Sequence, residues 1–376
     1  MKRLVLLGGG HAHVRVLADL AERLLTGWEV HLVSPYRRQI YSGMLPGWIA
    51  GYYPIEACAI ALDRLAGRAG IALLETSAIA LDMRAQVVQC ADGTALPFDA
   101  VSIDTGPMPA LDGLPGAAEH ALAVRPIERF IAAWPKLSDR IRQAHGRFDL
   151  LMLGGGAAGV ELAFAIQHRA SREGCRALHL TIVGSDALPL PGMPHATRLS
   201  IMALLAERGI VWRGGHRATG LDAHRLHLEE ALALDFDACL VATGAAAPSW
   251  PAASGLATDE RGFIRVNREL QCLSHPQVFA AGDVAAYADP RPKSGVYAVR
   301  AGPALSHNLR AFCEGRPLAP WRPQQRALYL ISSGHRHAWA TRGNWSWSGK
   351  WVWHWKDWID RRFVQRYAAP QPNAPS

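Results

Sequence analysis

Two glycine-rich segments carry the residues of this chain that are best placed to do chemistry. The first, at residues 4–14, reads LVLLGGGHAHV and holds Gly8, Gly10, His11 and His13. On a strand, two histidines separated by one residue share a face and can bind one metal ion. Here an apolar strand precedes the glycines and a helical pattern follows them, so the two imidazoles should diverge and we expect no metal. The segment instead favours a phosphate cradle, built from glycine N–H groups and a helix N-terminus.

The second glycine-rich segment repeats the first 146 residues later. Residues 150–162 read LLMLGGGAAGVEL and contain all three glycines of a G-x-G-x-x-G pattern, namely Gly154, Gly156 and Gly159. One such loop is weak support for a nucleotide site, whereas two loops, each between an apolar strand and an amphipathic helix, are a specific pattern. Each is followed by a further strand that completes a βαβ unit. The repeat predicts two Rossmann-like dinucleotide-binding domains.

Shorter strands predict how the two units are joined. Residues 100–106 and 239–244 each read as an apolar strand that ends in Thr-Gly and closes one unit. A later strand delivers Gly282 and Asp283 to the carboxyl end of a sheet, where ligands lie in open α/β folds. A helix that begins near Gly295 would direct its positive end at the same crevice.

We therefore predict an α/β fold with two Rossmann-like dinucleotide-binding domains, the second inserted in the first, and a small C-terminal α+β segment. The predicted boundaries are residues 1–111 and 248–320 for the first domain, 112–247 for the second, and 321–376 for the C-terminal segment.

Composition and charge describe an ordinary globular chain with an unusual C-terminal part. The 376 residues are 49% hydrophobic and 19% charged, which suits two or three domains with full cores. No signal-peptide pattern is present and no apolar run approaches the ~20 residues that span a bilayer, so we expect a cytoplasmic protein. Of the formal net charge of +8, a net +7 lies from Trp321 onward, where nine Arg or Lys stand against two Asp.

The order of these segments resembles the pyridine nucleotide-disulfide oxidoreductases, flavoproteins with two dinucleotide-binding domains. Within that superfamily the chain is most similar to the type II NADH dehydrogenase and sulfide:quinone oxidoreductase branch. The stretches YSGMLPG at 41–47 and WHWKDWIDRRF at 353–363 resemble more closely still the flavoprotein module fused to selenide, water dikinase in some bacteria. The resemblance implies non-covalent FAD in the first domain, NAD(P)H in the second, and hydride transfer from nicotinamide to flavin N5.

The resemblance also implies which residues bind each cofactor. The implied FAD residues are Gly8, Gly10, His11, Ser34, Ser42, Gly43, Ala78, Thr105, Gly106, Gly282, Asp283, Gly295 and Val296. The implied NAD(P)H residues are Gly154, Gly156, Gly159, Glu161, Thr243 and Gly244. Glu161 is also the candidate catalytic residue, because its counterpart in the family approaches the junction of nicotinamide and flavin. The alternative is a carboxylate that only complements the helix dipole.

Several positions depart from the family pattern. His13 replaces the third glycine of the first loop, so we expect a displaced first helical turn or an imidazole turned outward. Ser34 stands where an acidic residue usually binds the adenosine ribose and offers only a hydroxyl. Gly184 and Ser185 occupy the matching place in the second unit, so the sequence does not choose between NADH and NADPH.

The range of possible electron acceptors is limited mainly by motifs that the sequence lacks. No C-x-x-x-x-C pair stands near the first helix, so disulfide reduction is not expected. Sulfide or selenide oxidation stays an alternative that would need two of Cys58, Cys272 and Cys313 to meet near the flavin. Residues 297–302 stand where type II dehydrogenases tend to carry glutamines near the quinone, which weakens quinone as the acceptor.

The predicted function is that of an FAD-dependent NAD(P)H oxidoreductase that reduces a quinone or another small molecule without a redox disulfide. An alternative from another class is a flavin-binding sensor or assembly protein without turnover.

Seven of the thirteen tryptophans lie between Trp339 and Trp358. Trp351, Trp355 and Trp358 fall at i, i+4 and i+7 and so share one helical face, with several arginines nearby. Residues 339–367 therefore have two interpretations: a lid over the flavin domain, or a peripheral contact with the cytoplasmic face of the inner membrane. No nucleic-acid-binding motif accompanies the charge, so no nucleic-acid partner is expected.

Overall fold

The computed structural model describes residues 1–368; the last eight residues of the predicted segment 321–376 lie outside the described residues. The first part of the chain contains, in order, β1 (Lys2–Leu7), α1 (His11–Glu22), β2 (Trp28–Val33), β3 (Arg38–Ile40), α2 (Leu45–Ile49), β4 (Ala59–Ala61), α3 (Leu62–Arg68), β5 (Ala72–Leu74), β6 (Ala78–Asp82), β7 (Val87–Cys90), β8 (Ala95–Pro97) and β9 (Ala100–Ile103). Strand β1 lies between β2 and β9, parallel to both, and Leu4 is opposite Val30 and Ala100. Residues 4–7 are fully buried, as an unbroken apolar run in a parallel sheet requires.

The second unit follows with its own parallel sheet. Its elements are β10 (Met108–Pro109), α4 (Ala117–His120), β11 (Leu122–Ala123), α5 (Ile127–Gln143), β12 (Phe148–Leu153), α6 (Ala157–Arg172), β13 (Leu178–Val183), α7 (His195–Glu207), β14 (Val211–Arg213), β15 (Ala218–Leu221), β16 (Arg225–Leu228), β17 (Ala233–Asp235), β18 (Ala238–Val241) and β19 (Ala245–Ala246). The sheet order is β11-β18-β12-β13-β14, and β15 to β17 form an antiparallel ribbon, as β6 to β8 do in the first unit. Strands β10 and β19 pair antiparallel, so the chain enters and leaves this unit side by side.

The chain then returns to the first sheet. The returning elements are α8 (Trp250–Ala253), β20 (Ile264–Val266), β21 (Val278–Ala280), β22 (Ala285–Tyr287) and α9 (Gly295–Cys313). Strand β21 pairs with β9 and completes the order β21-β9-β1-β2-β5. Helix α9 packs on α1, where a Cβ on Gly302 would lie 3.5 Å from Cα of Ala12. The predicted α/β fold, with the second Rossmann-like unit inserted in the first, is confirmed.

The C-terminal part forms a small α+β layer, as predicted. It consists of β23 (Leu328–Ser332), β24 (Ala338–Arg342), β25 (Trp345–Gly349) and α10 (Lys350–Tyr367). The three strands make an antiparallel sheet, and α10 packs on it around a core that includes Ala340, Val352 and Trp353. This layer holds α10 above the junction of the two larger units.

Candidate functional site

The first glycine loop joins β1 to α1 and packs tightly against the end of β9. Gly8 has a φ of +89°, and a Cβ on it would lie 2.5 Å from the backbone oxygen of Asp104. Glycine is required because other residues rarely adopt this φ and because the backbone of β9 fills the space. Gly10 has a different neighbour: its Cβ would lie 2.3 Å from Cγ of the Asp104 carboxyl group. The loop keeps the cradle glycines, but a carboxyl group already faces one of them.

His13, at the position of the third glycine, points inward. Its side chain is fully buried, with Nδ1 2.6 Å from the carbonyl oxygen of Gly8 and Nε2 2.8 Å from Oγ of Ser102. A carbonyl oxygen only accepts, so Nδ1 donates to Gly8 and Nε2 accepts from the serine hydroxyl. Burial lowers the pKa of His13 to about 4, which keeps the ring neutral. The expectation of an outward imidazole or a displaced first turn is wrong, because Ser102 leaves room for the ring and α1 begins regularly at His11.

The two histidines of the first loop diverge, as the helical pattern predicts. The ring of His11 lies 5.5 Å from that of Tyr41 and 5.9 Å from that of Phe363. Within residues 1–368, no three His, Cys, Asp or Glu side chains form a group that could hold a metal ion.

The second glycine loop lies between β12 and α6. Its middle glycine borders open space, whereas the matching glycine of the first loop faces a carboxyl group. Gly159 packs so closely that a Cβ would lie 1.9 Å from the backbone oxygen of Gly154, whereas no described atom lies within 4 Å of the Cβ position of Gly156. Strand registers pair Ile103 with Leu7 and Val241 with Leu153, so Ala242 occupies the position of Asp104. An alanine side chain reaches no helix N–H, and the start of α6 is therefore free to meet a phosphate group.

Trp212, on β14, packs against the second loop and was not predicted from the sequence. A Cβ on Gly155 would lie 2.3 Å from its ring, and one on Gly184 would lie 2.5 Å from it. Its Nε1 donates to the carbonyl oxygen of Ala187 at 2.9 Å. An isolated tryptophan on a short edge strand has no local pattern that would connect it to a loop so far upstream.

Gly282 and Asp283 follow β21 at the same edge as the first glycine loop. The Asp283 carboxylate lies 3.2 Å from Nη1 of Arg125, and the N–H of Gly282 donates to the hydroxyl of Tyr287 at 3.0 Å. A Cβ on Gly282 would lie 2.4 Å from Oδ1 of Asp104. Asp104 and Asp283 thus place two carboxyl groups in one crevice, and Arg125 is a cation there that the sequence did not reveal.

The N-terminus of α9 meets the loop at 42–47. A Cβ on Gly295 would lie 3.6 Å from Oγ of Ser42 and 3.8 Å from Nε2 of His11. Among the described residues, this buried Nε2 atom has no hydrogen-bond partner. Buried polar atoms without partners are rare and call for a ligand or a water molecule. An unpartnered imidazole nitrogen at the positive end of a long helix suits the polar edge of a flavin ring.

Ser34 does not offer the crevice a free hydroxyl, contrary to the prediction. Its Oγ donates to the carbonyl oxygen of Tyr36 at 2.9 Å, and the residue is buried at the end of β2. The hydroxyl stabilises a local turn, which is a common use of serine after a strand.

Buried polar and charged side chains connect Glu161 to the C-terminal layer. Oε1 of Glu161 accepts from the backbone N–H of Ser332 at 2.8 Å and from its hydroxyl at 2.9 Å. Lys356 donates to the carbonyl oxygen of Gly43 at 2.7 Å and to Asp360 at 2.6 Å. These contacts bring the start of α6, the loop at 42–47 and helix α10 together.

The charged groups of this buried cluster shift one another's pKa values. Burial alone lowers the pKa of Lys356, but attraction by Asp360 and Glu161 outweighs burial and the net shift is upward, so the amine stays protonated. Burial raises the pKa of Glu161, and the nearby charge of Lys356 opposes that shift. Burial, followed by repulsion from Asp360, raises the pKa of the Tyr41 phenol. A carboxyl group with a raised pKa beside a fixed ammonium can hold or release a proton at the cleft wall.

One cleft of 1170 Å³ runs between the two units, with α10 above it. The predicted site residues that line it are Ser42, Gly43, Gly295, Val296, Gly154, Gly156, Glu161, Thr243 and Gly244. The predicted residues that do not line it are Gly8, Gly10, His11, Ser34, Ala78, Thr105, Gly106, Gly282, Asp283 and Gly159. Most of the second group belong to the crevice of the first unit, where the Asp104 carboxyl group lies against the glycine loop.

The cysteines do not form a redox pair. All six are free thiols, and burial raises the pKa of Cys58 and of Cys313 to about 12 each, so both stay protonated and poorly nucleophilic. Cys58 lies next to the carbonyl oxygen of Met44 in the loop at 42–47. Cys313 ends α9, and a helix of 19 residues puts it about 28 Å from the end that faces the cleft. Cys58 and Cys313 therefore do not meet beside the cleft, which disfavours this pair as a site for sulfide or selenide oxidation.

Helix α10 presents two of the three tryptophans of its predicted face to the surface, whereas Trp355 is half-buried against the core of the C-terminal layer. Trp351 and Trp358 are each 55% exposed, and β25 adds Trp345 and Trp347 at 68% and 43%. The buried face of α10 consists instead of Val352, Trp353, Lys356, Asp360, Val364 and Tyr367. The lid interpretation therefore applies to the helix, which covers the cleft, and not to Trp351 and Trp358, which face outward. Among residues 1–368, no helix combines the length and apolar character needed to cross a membrane.

The chain belongs to the pyridine nucleotide-disulphide oxidoreductase family, whose model matches residues 2–302. It is accordingly a flavoprotein oxidoreductase of the class that uses pyridine nucleotides. Within the family it is similar to the type II NADH dehydrogenase and sulfide:quinone oxidoreductase branch, as its sequence predicts. The closer resemblance to the module fused to selenide, water dikinase stays a prediction.

Two curated relatives illustrate the sequence similarity. Demethylphylloquinone reductase NdbB of Synechocystis sp. is 25% identical over 339 residues, which cover 86% of this chain and 82% of that protein. Ferroptosis suppressor protein 1 of Homo sapiens is 24% identical over 271 residues, which cover 68% of this chain and 67% of that protein.

Two solved structures share the fold over nearly the whole chain. The sulfide:quinone oxidoreductase of Aquifex aeolicus superposes with a TM-score of 0.80 at 19% identity, covering 99% of this chain and 93% of that one. NDH2 of Plasmodium falciparum, solved in complex with NADH, gives a TM-score of 0.80 at 13% identity, covering 98% and 99%. At these identities the likeness concerns the fold.

Proposed function

We propose that this protein passes electrons from NAD(P)H, through bound FAD, to a small-molecule acceptor. The observation that carries the proposal is the shared cleft, in which the open second glycine loop and the N-terminus of α9 line one cavity. When bound there, FAD supplies a ring that takes up a hydride equivalent and later releases the electrons. The protein contributes position, charge and exclusion of water.

FAD would be held by the predicted residues, with two changes. Gly8, Gly10, His11, Ala78, Thr105, Gly106, Gly282 and Asp283 would hold the adenosine, pyrophosphate and ribityl parts, and Ser42, Gly43, Gly295 and Val296 would border the ring. Ser34 would contribute shape only, because its hydroxyl is bonded to Tyr36. Arg125, which is ion-paired with Asp283, joins the set.

NAD(P)H would be held by Gly154, Gly156, Gly159, Thr243 and Gly244, at the carboxyl ends of the strands of the second sheet. The open space at Gly156 supports a phosphate there, and Trp212 would bound the adenosine side of the site. Glu161 would lie between nicotinamide and flavin, held by Ser332.

The acceptor would enter beneath α10. The rings of Tyr41 and Phe363 lie 4.6 Å apart and form an apolar wall beside the loop at 42–47. The names of the Synechocystis and Aquifex proteins denote quinone chemistry in those proteins. We extend that class to this chain: a quinone, or a planar molecule of similar size, is reduced with Glu161 and Lys356 supplying charge and protons at the cleft wall.

The first prediction tests electron entry. The purified protein should carry a yellow flavin. Anaerobic mixing with NADH or NADPH should bleach the visible absorbance of that flavin. The two nucleotides are compared at equal concentration, and dithionite serves as the control that the flavin is reducible. Bleaching by dithionite but by neither nucleotide would favour the alternative of a flavin-binding sensor or assembly protein. Quinones, dyes, oxygen and selenium or sulfur compounds are then offered to the reduced protein.

The second prediction concerns the exposed tryptophans of α10. Their surroundings are basic, since Arg361 and Arg362 lie on the same helix and the segment from Trp321 onward carries a net +7. Indole rings and cations together suit the interface of an anionic membrane. The double variant Trp351→Ser/Trp358→Ser should bind vesicles containing phosphatidylserine roughly tenfold more weakly, a loss of about 1.4 kcal/mol.

A matched control removes two other exposed apolar residues. Leu232 and Leu273 are 46% and 52% exposed and lie outside the C-terminal layer, so Leu232→Ser/Leu273→Ser should leave vesicle binding unchanged. Sedimentation with vesicles measures both variants. Equal binding by the tryptophan variant and the wild type would remove the membrane interpretation.

A further inference from the structure

The two glycine loops of this chain differ at one position that determines what the adjoining helix can bind. Asp104 is 2% exposed, and its Oδ2 accepts hydrogen bonds from the backbone N–H groups of Ala12 at 2.8 Å and His13 at 3.0 Å. Its carbonyl oxygen also accepts from the N–H of Gly10 at 3.1 Å. The equivalent position in the second loop is Ala242, which has no side-chain acceptor.

The Asp104 carboxyl group therefore stands where an anionic ligand of α1 would bind. A helix N-terminus attracts phosphate through its free N–H groups and its dipole, and here a carboxyl group already accepts from two of those groups. The same carboxyl group lies against the Cβ positions of Gly10 and Gly282, the bare backbone that a dinucleotide would approach. A pyrophosphate in this crevice would meet a like charge at short range if Asp104 were ionised.

The charged groups around Asp104 do not offset the negative charge that it carries when it is ionised. Helix α1 contributes His11 and His13, whose pKa values are each lowered to about 4, mainly by burial, so both are neutral. The turn after β21 contributes the carboxylate of Asp283, and the guanidinium of Arg125 is bonded to that carboxylate. Strand β22 ends with Tyr287, whose phenol has a pKa raised by burial and then by Asp104. Burial is also the main cause that raises the pKa of Asp104, to about 7, while the two N–H bonds oppose it.

We propose that Asp104 makes the binding of FAD proton-linked: the pyrophosphate enters the first cradle when the Asp104 carboxyl group is neutral and is opposed when it is ionised. This inference rests on the proposed function, because it assigns the first cradle to FAD. It predicts a cofactor whose retention depends on pH, set by one residue that the second loop lacks.

The direction of the pH dependence follows from proton linkage. Below about pH 7 Asp104 is already neutral in the free protein, and affinity should not change with pH. Above that pH the free protein has lost the proton that the complex retains, so binding takes up one proton and the affinity falls up to roughly tenfold per pH unit. The fall ends where Asp104 ionises in the complex as well.

The experiment measures the dissociation constant of FAD by quenching of flavin fluorescence, on the full chain freed of flavin, from acidic to alkaline pH. The wild type should lose affinity at least tenfold between pH 7 and pH 8.5. Asp104→Asn and Asp104→Ala should bind FAD more tightly than the wild type at pH 8.5 and show a flat profile. Riboflavin, which has no phosphate, should bind the wild type without this pH dependence.

A reciprocal variant tests the same idea in the other loop. Ala242→Asp should weaken binding of NADH and NADPH tenfold or more at pH 8.5 and leave FAD binding unchanged. Asparagine at position 104 keeps an oxygen that can accept from Ala12 and His13, so thermal melting of Asp104→Asn near the wild-type temperature separates charge from helix capping.

The outcomes separate this inference from the proposed function. Tight FAD binding that is independent of pH in the wild type and in both Asp104 variants would overturn the inference and leave the oxidoreductase proposal standing. Weaker FAD binding by Asp104→Asn at every pH would show that the residue only caps α1, and would also overturn it. No FAD binding by any variant at any pH would overturn both.

Discussion

Gly159→Ala should slow reduction of the flavin by NADH and NADPH roughly 100-fold or more, while dithionite still bleaches the flavin completely. A Cβ at this position would lie 1.9 Å from the backbone oxygen of Gly154, a distance that no real contact allows. The loop and the start of α6 would have to separate, and the neighbouring atom is backbone that cannot rotate away. Displacement of a reactant by about 1 Å is enough to cost roughly 100-fold in rate.

The control is Gly67→Ala in α3. Gly67 is also a helical glycine, but it is exposed and no described atom lies within 4 Å of its Cβ position. Alanine in an open helical position is neutral or mildly stabilising, so Gly67→Ala should reduce at the wild-type rate. Stopped-flow absorbance under anaerobic conditions measures both variants, and FAD content shows that the first unit is intact. Wild-type kinetics in Gly159→Ala would mean that this loop does not hold the nucleotide.

Lys356→Met should destabilise the C-terminal layer by about 3–5 kcal/mol, the range typical of removing one partner from a buried ion pair. The Lys356 side chain is 9% exposed and that of Asp360 is 6%. Without the ammonium group, Asp360 and Glu161 would remain as two buried carboxyl groups, and the carbonyl oxygen of Gly43 would lose its donor. Urea unfolding followed by tryptophan fluorescence reports on this region directly, because most of the tryptophans lie in it.

Two further variants make this prediction specific. Lys350→Met removes an exposed lysine at the start of the same helix and should change stability by less than about 0.5 kcal/mol. The double variant Lys356→Met/Asp360→Leu removes both charges and should recover much of the loss, since apolar side chains often replace a buried pair at little cost. If Lys356→Met unfolds at the same urea concentration as Lys350→Met, the cluster does not stabilise α10.

The same cluster connects stability to the proposed chemistry. Lys356 is bonded to the backbone of Gly43, which belongs to the loop beside the proposed flavin ring, and its charge acts on Glu161. Loss of α10 would therefore expose the cleft to solvent, and it would also change the proton affinity of Glu161. We expect the electron-transfer step to the acceptor to suffer more in Lys356→Met than the entry of electrons from NAD(P)H, whose loop lies on the second unit.

The C-terminal helix shows what the sequence pattern could not decide, namely which face of the helix is buried. The tryptophans at i, i+4 and i+7 form the more apolar stripe of α10, and such a stripe is ordinarily the buried one. The buried stripe instead includes Lys356 and Asp360, which are paired with each other and with groups from other elements. Sequence periodicity predicts that an ionic residue is exposed, because the sequence does not show the distant partner that makes its burial tolerable.

The sequence by itself determined the two glycine loops, the order of the strands that follow them, the insertion of one unit in the other and the family. These features depend on local causes: apolar runs that make parallel strands, glycines that tight turns require, and helix starts that bind anions. Only the tertiary structure decided the inward turn of His13, the closure of the first loop by Asp104, the burial of Lys356 and the outward position of Trp351 and Trp358. The first three depend on partners that lie between 89 and 313 residues away in the chain, as Ser102 is for His13 and Gly43 is for Lys356. Spacing along the sequence carries no information about such contacts until the sheets bring the partners together.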